Sequence, residues 1–157
     1  MGPVKHIFKG TSLGATEGPH LYKHNDYHYL MTAEGGTGLT HAVTMARSES
    51  IDGPYEVDPQ NPMLTSSDRS DLTLQKAGHA SLVDTPDGGW YIVHLCGRPI
   101  GPERRCMLGR ETSIQKCVWT DDGWLRLADG GHSPSVTVPA PDLSEHPFDA
   151  APVRDDF

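Results

Sequence analysis

The chain has 157 residues, of which 36% are hydrophobic, and this length is sufficient for one domain with its own core. Its 13 Lys and Arg residues are outnumbered by 21 Asp and Glu residues, and the formal charge of -8 would repel a phosphate backbone. No nucleic-acid partner is therefore expected. No run of about 18 apolar residues is present for a membrane span, and residues 1–9 lack the apolar core of a signal peptide. We expect no membrane partner and a cytoplasmic location.

Turn-forming residues and unpaired cysteines further limit the class of protein. The 17 Gly and 13 Pro residues indicate a β protein that is rich in turns. Cys96, Cys106 and Cys117 are odd in number and contain no C-x-x-C pair, so the sequence predicts neither a disulfide framework nor a zinc site. Free and partly buried thiols are expected instead.

Two segments share one design, in which a strand, a tight turn and a second strand follow one another. They are residues 19–31 and residues 79–93. Their turns, at residues 25–26 and 87–89, consist of Asn, Asp and Gly, which tolerate the positive φ that tight hairpins need. The sequence therefore predicts two similar β-hairpins.

The hairpins recur at a nearly fixed period, since Leu82 follows Leu21 by 61 positions. A third strand is predicted after each hairpin, at residues 41–47 and 112–119, and radially arranged sheets of this size are propeller blades. The period allows only about two and a half blades, whereas a closed propeller uses about four to eight. We expect an all-β partial propeller, with the missing blades supplied by a longer parent chain or by self-association.

The sequence changes character towards its end. From Pro134 it is rich in Pro and acidic residues, and we expect a surface strand that leads into a linker. Residues 1–140 are assigned to the blades, and residues 141–157 to a Pro-rich, acidic tail.

Glu17 lies just ahead of the first hairpin strand. Inner strands of a propeller line its central channel, and a carboxyl group held there beside apolar walls would stay protonated at neutral pH. A general acid needs this property. The alternative is a solvated loop glutamate, because Glu is seldom buried.

Four segments, in order along the chain, resemble the C-terminal part of glycoside hydrolase family 43 catalytic domains, in particular those of β-xylosidases. They are residues 16–22 (TEGPHLY), 29–37 (YLMTAEGGT), 75–83 (QKAGHASLV) and 108–116 (LGRETSIQK). The resemblance implies a five-bladed β-propeller. It also implies inverting hydrolysis of O-glycosidic bonds at the non-reducing ends of xylo- or arabino-oligosaccharides, which needs a general acid and a general base.

The resemblance assigns the role of general acid to Glu17. The base, and a third carboxylate that tunes the acid, are Asp residues in earlier blades of the family, and nothing in this chain matches either motif. Met1 would then begin a truncated or split protein. Without its base, the isolated chain is expected to be slower by about 100- to 10,000-fold or more.

Further residues match the family at the substrate. Thr37 is implied beside the sugar, with a plain Gly-rich turn as the alternative. His79 is implied near the acid, where some members hold a hydrated calcium ion, although calcium prefers oxygen ligands and a hydrogen-bonded core histidine is the alternative. Arg110 is implied to bind substrate hydroxyls, with an ion pair to Glu111 or another acid as the alternative. His20 is expected to support the acid without touching substrate.

Two functional readings stay open. The tail at residues 150–157 resembles the link to the β-sandwich domain that follows the propeller in the xylosidase subgroup, which favours exo action by analogy. The reaction requires no cofactor. The alternative is a catalytically incomplete partial propeller that acts as a sugar-binding or assembly fragment, and the sequence does not decide between xylose and arabinose specificity.

Overall fold

The computed structural model describes residues 2–148, which form two antiparallel sheets and contain no helix that could cross a membrane. The first sheet contains β1 (Glu17–His24), β2 (Tyr27–Glu34), β3 (Ala42–Ser48), β4 (Glu56–Val57) and β5 (Leu64–Thr65). The second sheet contains β6 (Gln75–Asp84), β7 (Trp90–Gly97), β8 (Glu111–Trp119) and β9 (Leu125–Leu127). Strands β1 to β4 and β6 to β9 are neighbours in chain order, and β5 pairs with β3. Each sheet is therefore a meander of the kind found in propeller blades.

Each sheet begins with one of the predicted hairpins. In the turn between β1 and β2, Asn25 has a φ of 50°, a conformation that Asn tolerates better than most residues. In the turn between β6 and β7, the residue with positive φ is Gly88, at 83°. Both hairpins are confirmed, and both third strands are confirmed as β3 and β8.

The two sheets pack against each other, and the side chains between them form the core. Buried members with at most 2% exposure include Tyr29, Met31, Val43 and Met45 from the first sheet and Ala77, Ala80, Ile92 and Leu125 from the second. Complete burial of a side chain such as Met31 or Ile92 stabilises the fold by about 1.5–3 kcal/mol. This interface fixes the position of one blade relative to the other.

The prediction of an all-β partial propeller is confirmed, with two complete sheets in the described residues. The surface strand predicted from Pro134 is wrong, because residues 134–148 contain no strand. Pro134, Pro139 and Pro141 fall in this stretch and have no N–H group to donate to a sheet. The boundary after residue 140 stays a prediction, and the tail residues 149–157 lie outside the described part of the chain.

The three cysteines are free thiols, as expected. Cys96 and Cys117 are buried, and burial raises the pKa of both, to about 12 for Cys117. These two side chains therefore stay protonated and unreactive at neutral pH. Cys106 is partly exposed.

An ion pair between Asp58 and Arg126 links the outer parts of the two sheets. Asp58 follows β4 and its side chain is 0% exposed, while Arg126 lies in β9 and its side chain is 13% exposed. Nη2 of Arg126 donates to Oδ1 of Asp58 at 2.9 Å, and Nη1 donates to the second carboxylate oxygen. Loss of one partner would leave a buried charge uncompensated, which is strongly destabilising.

Arg126→Met should therefore lower the free energy of unfolding by about 3–5 kcal/mol. Urea unfolding followed by circular dichroism measures this change. The matched control is Arg69→Met, because Arg69 pairs with Asp71 on the exposed surface. The control should show no measurable change. Equal stability of the two variants would contradict the role of the buried pair.

Candidate active site

Glu17 is the first residue of β1, and its Cα is paired with Ala33 of β2. The register shifts between Glu17 and His20, and Gly18 within this bulge has a φ of 54°. The Glu17 side chain is exposed, and no hydrogen bond or ion pair to it occurs within residues 2–148. A carboxyl group at a strand mouth with no internal partner is available to a ligand.

His79, from the second sheet, packs against the bulge in the first. A Cβ atom placed on Gly18 would lie 2.6 Å from Nε2 of the His79 ring. The ring of His20 lies edge-on to that of His79, with centroids 6.5 Å apart. The backbone of His79 has a φ of 51°, which is uncommon for a residue with a side chain and concentrates at functional sites. The structure thus brings His79 and His20 together beside Glu17.

Thr37 and Arg110 line a different cavity, of about 550 Å³. Three more cationic side chains line it, those of Lys76, Arg104 and Arg105, and no carboxylate from residues 2–148 does. In a chain with a formal charge of -8, this is a local concentration of positive charge. The cavity is therefore suited to hydroxyl groups and to carboxylates that come from elsewhere.

Arg110 has no ion-pair partner within the described residues, so the alternative of a pair with Glu111 is wrong. The Glu111 carboxylate instead accepts a hydrogen bond from Nε of Arg98 at 2.9 Å. This pair holds the pKa of Glu111 below its usual value. The exposed guanidinium of Arg110 remains available for substrate hydroxyls.

The sequence-predicted residues do not all share one cavity in this chain. Glu17 lines a second space of about 480 Å³, together with Ile7 and Phe8 of the segment before β1 and with Leu30 and Thr32 of β2. His79, which reaches this group only through Gly18, lines neither space. The structure therefore divides the predicted residues into two groups, one around Glu17 and one around Arg110.

His41 lies between these groups and was not singled out from the sequence. It precedes β3 and is 2% exposed. Its Nδ1 donates to the backbone carbonyl of Lys76 at 3.1 Å, and a Cβ on Gly78 would lie 2.5 Å from its ring. The irregular start of β6, which presents His79, is thus built around this imidazole.

The electrostatic surroundings of His41 connect the two groups. Burial lowers the pKa of His41, and the charge of Arg110 lowers it further, while the carboxylate of Glu17 raises it. Its Nε2 is buried and has no hydrogen-bond partner among residues 2–148. The signal in the sequence for this contact is Gly78, because only a residue without a side chain lets the His41 ring pack this closely against the backbone.

Calcium beside His79 is not supported by the residues of this chain alone. Residues 2–148 contain no group of three or more His, Cys, Asp or Glu side chains that could hold a metal ion. Calcium takes about six to eight oxygen ligands, and one imidazole does not supply them. A calcium ion near His79 stays a prediction.

Gly18→Ala should displace the His79 ring, because the new Cβ would overlap it and the φ of 54° is strained for Ala. Proton NMR of the His79 ring, together with urea unfolding, measures both effects. The matched control is Gly36→Ala, at a φ of 69° with no heavy atom within 4 Å of the new Cβ. Both variants should lose about 1 kcal/mol from backbone strain, but only Gly18→Ala should shift the His79 signals.

His41→Gln should weaken the acid sensitivity of folding. Burial lowers the folded-state pKa of His41 below its ordinary 6.5. As the pH falls through that value, the unfolded chain therefore binds a proton first and the free energy of unfolding decreases. Urea unfolding at about pH 7.5 and about pH 5 compares the two proteins, and the variant should lose less stability. Parallel pH profiles would contradict a neutral, buried His41.

Comparison with known proteins now identifies the family. The family model "Glycosyl hydrolases family 43" matches residues 1–125. The "Xylosidase/arabinosidase 43B" of Humicola insolens is 57% identical over 90% of this chain and 26% of its own length. The "Xylan 1,3-beta-xylosidase" of Vibrio sp is 49% identical over 100% of this chain and 31% of its own. The crystal structure of xylan beta-1,4-xylosidase from Bacillus halodurans C-125 is similar, with a TM-score of 0.91 at 60% identity, over 97% of this chain and 29% of that one. The chain thus spans less than a third of the length of these relatives, and it belongs to glycosyl hydrolase family 43.

Proposed function

We propose that this chain forms the proton-donor side of an inverting glycosidase active site, with Glu17 as the general acid. The observation that carries this proposal is the setting of Glu17. Its unpaired, exposed carboxyl group stands at the mouth of an inner strand, beside His79 of the next blade. Membership of the family gives this geometry its chemical meaning.

Each residue has a distinct task in the proposed reaction. Glu17 donates a proton to the departing glycosidic oxygen while a base on the opposite face of the sugar activates water, with the two carboxyl groups about 6.5–9.5 Å apart. Arg110 binds substrate hydroxyls through its forked N–H groups, and Thr37 lies beside it on the cavity wall. His79 and His20 pack beside the backbone that carries the acid and support its position.

The general base is proposed to come from another part of the propeller, in the same polypeptide or in a second chain. The cavity that holds Arg110 is lined by cationic side chains and by no carboxylate. An incoming aspartate would be attracted to these cations and held ionised, which is the state that a base requires. Turnover therefore depends on the blades that this chain does not contain.

The names of the relatives support xylose- or arabinose-containing oligosaccharides as substrates. The second candidate function is an incomplete propeller that binds sugar or takes part in assembly without turnover. It is favoured by the division of Glu17 and Arg110 between two cavities. If the enzymatic proposal is correct, the remaining propeller blades must complete a single pocket in which Glu17 and Arg110 contact the same substrate.

Complementation separates the two functions. The chain is mixed with the amino-terminal part of the Bacillus halodurans relative that it does not match, and hydrolysis of xylobiose, whose sugar leaving group needs a proton, is measured. The complex should turn over, and Glu17→Gln should lower kcat by about 10²- to 10⁴-fold because the proton donor is lost. The matched control is Glu49→Gln, because Glu49 is an exposed glutamate that follows the end of β3, and it should leave kcat unchanged.

Two outcomes would contradict the assignment of Glu17. One is equal turnover by the Glu17→Gln and Glu49→Gln complexes. The other is the absence of turnover from a complex that still binds xylobiose in an Arg110-dependent way, which would support the sugar-binding fragment instead.

A further inference from the structure

Glu34, at the end of β2, is a fully buried carboxylate that the proposed mechanism does not use. It accepts a hydrogen bond from the backbone N–H of Thr11 at 2.9 Å to Oε1, and the same N–H lies 3.1 Å from Oε2. The hydroxyl of Thr11 donates to Oε2, and the hydroxyl of Thr16 donates to Oε1 at 3.1 Å. Every donor thus comes from the short segment that precedes β1.

Glu34 has no cationic partner in the part of the chain that the structure describes. The other deeply buried carboxylate, that of Asp58, is paired with Arg126. Burial of a charge is costly unless hydrogen bonds or an opposite charge compensate it. The compensation for Glu34 therefore depends on the conformation of one loop, residues 10–16, which we call the acid loop.

The acid loop is fastened to the end of β2 at a second point and is tightly packed. The N–H of Gly35 donates to the carbonyl of Gly14 at 2.8 Å. A Cβ on Gly10, where φ is 80°, would lie 1.8 Å from Oγ1 of Thr16, so the loop has no room for a side chain there. The contacts to Glu34, the last residue of β2, and to the following Gly35 leave the loop little freedom.

The acid loop ends directly at Glu17. Thr16, one of the two threonines held by Glu34, is the preceding residue, and the Cα of Glu17 pairs with Ala33, next to Glu34 in β2. The backbone of Glu17 is thereby fixed from both sides, although its side chain makes no hydrogen bond or ion pair within residues 2–148. A proton donor with a free side chain depends on its backbone for its position.

We propose that Glu34 is a positioning residue for the general acid, and this proposal rests on the proposed function of Glu17. The buried carboxylate of Glu34 orders the acid loop through Thr11 and Thr16 and so aims Glu17 at the glycosidic oxygen. A misplacement of about 1 Å can lower a rate by about 100-fold. Glu34 would therefore act on the rate without touching the substrate.

The first test uses the isolated chain and needs no turnover. Glu34→Gln keeps the shape of the side chain but replaces one acceptor oxygen with an NH₂ group that faces the donors of Thr11. Amide hydrogen exchange of Thr11 and Gly35 should accelerate by about 10-fold or more, relative to the globally protected core. The ¹³C signal of the Glu17 carboxyl group should shift at the same time.

Asp58→Asn is the matched control, because it changes a similarly buried carboxylate whose hydrogen bonds go to Gln60 and Arg126 and not to the acid loop. It should lower global stability, yet leave exchange at Thr11 and Gly35 within about 2-fold of the wild type after correction for that loss. If Glu34→Gln changed the acid loop and the Glu17 signal no more than Asp58→Asn does, the proposal would be overturned.

A second pair of variants keeps the test decisive if Glu34→Gln does not fold. Thr16→Val removes the hydroxyl that reaches Glu34, and Thr16→Ser retains it. Thr16→Val should accelerate exchange and shift the Glu17 signal, and Thr16→Ser should restore both. Identical behaviour of the two variants would overturn the proposal.

The complemented enzyme gives a kinetic readout. Glu34→Gln and Thr16→Val should lower kcat by about 10- to 100-fold and leave KM within about 2-fold, since in this proposal the acid loop acts on the reaction by positioning Glu17 and not by binding substrate. A rise in KM at unchanged kcat would contradict positioning of the acid. If the wild-type complex shows no turnover, the proposed function fails, and the exchange and NMR results still decide whether Glu34 positions Glu17.

Discussion

The packing of β6 across β2 and β3 is the constraint on which the candidate site depends. A sheet needs a buried apolar face to be stable, and the shared apolar interface provides that face to both sheets and holds them in one orientation. Within it, the N–H of Leu82 donates to the hydroxyl of Tyr22 at 2.9 Å and ties the inner strands β1 and β6 together. Glu17 and His79 belong to different sheets, so their proximity depends on this interface as well as on the local backbone at Gly18 and His79.

Most of the fold was predictable because its signals are local. Asn25 and Gly88 mark hairpin turns whatever surrounds them, and the apolar strands beside them are long. The short strands β4 and β5 have two residues each and are defined by their pairing with β3. Segments this short show no periodic sequence pattern. The strand expected after Pro134 failed because the prolines there lack donors, and that segment is held instead by Gln115, which bonds to the backbone of Ser135 in both directions.

Site residues that belong to a recognisable sequence motif could be predicted, whereas those that act through buried hydrogen bonds could not. Glu17, His79 and Arg110 were reached through matched segments, and the structure tests their surroundings rather than their roles. Glu34 and His41 were missed for one reason. Their importance lies in hydrogen bonds to residues 23 and 35 positions away, at Thr11 and Lys76, and such partners cannot be read from the chain order. A buried polar residue shows its purpose only through what it contacts.

The left-handed backbone of His79 has a consequence for any attempt to make this protein more robust. At a φ of 51°, glycine or asparagine would relieve strain of about 1 kcal/mol or more. A search guided by thermostability alone would therefore favour replacing this histidine, and it would remove the imidazole that packs against the start of β1. The conformation that makes position 79 unfavourable for folding is also the one that directs its ring across the blade boundary, so selection for heat resistance and selection for activity would act in opposite directions here.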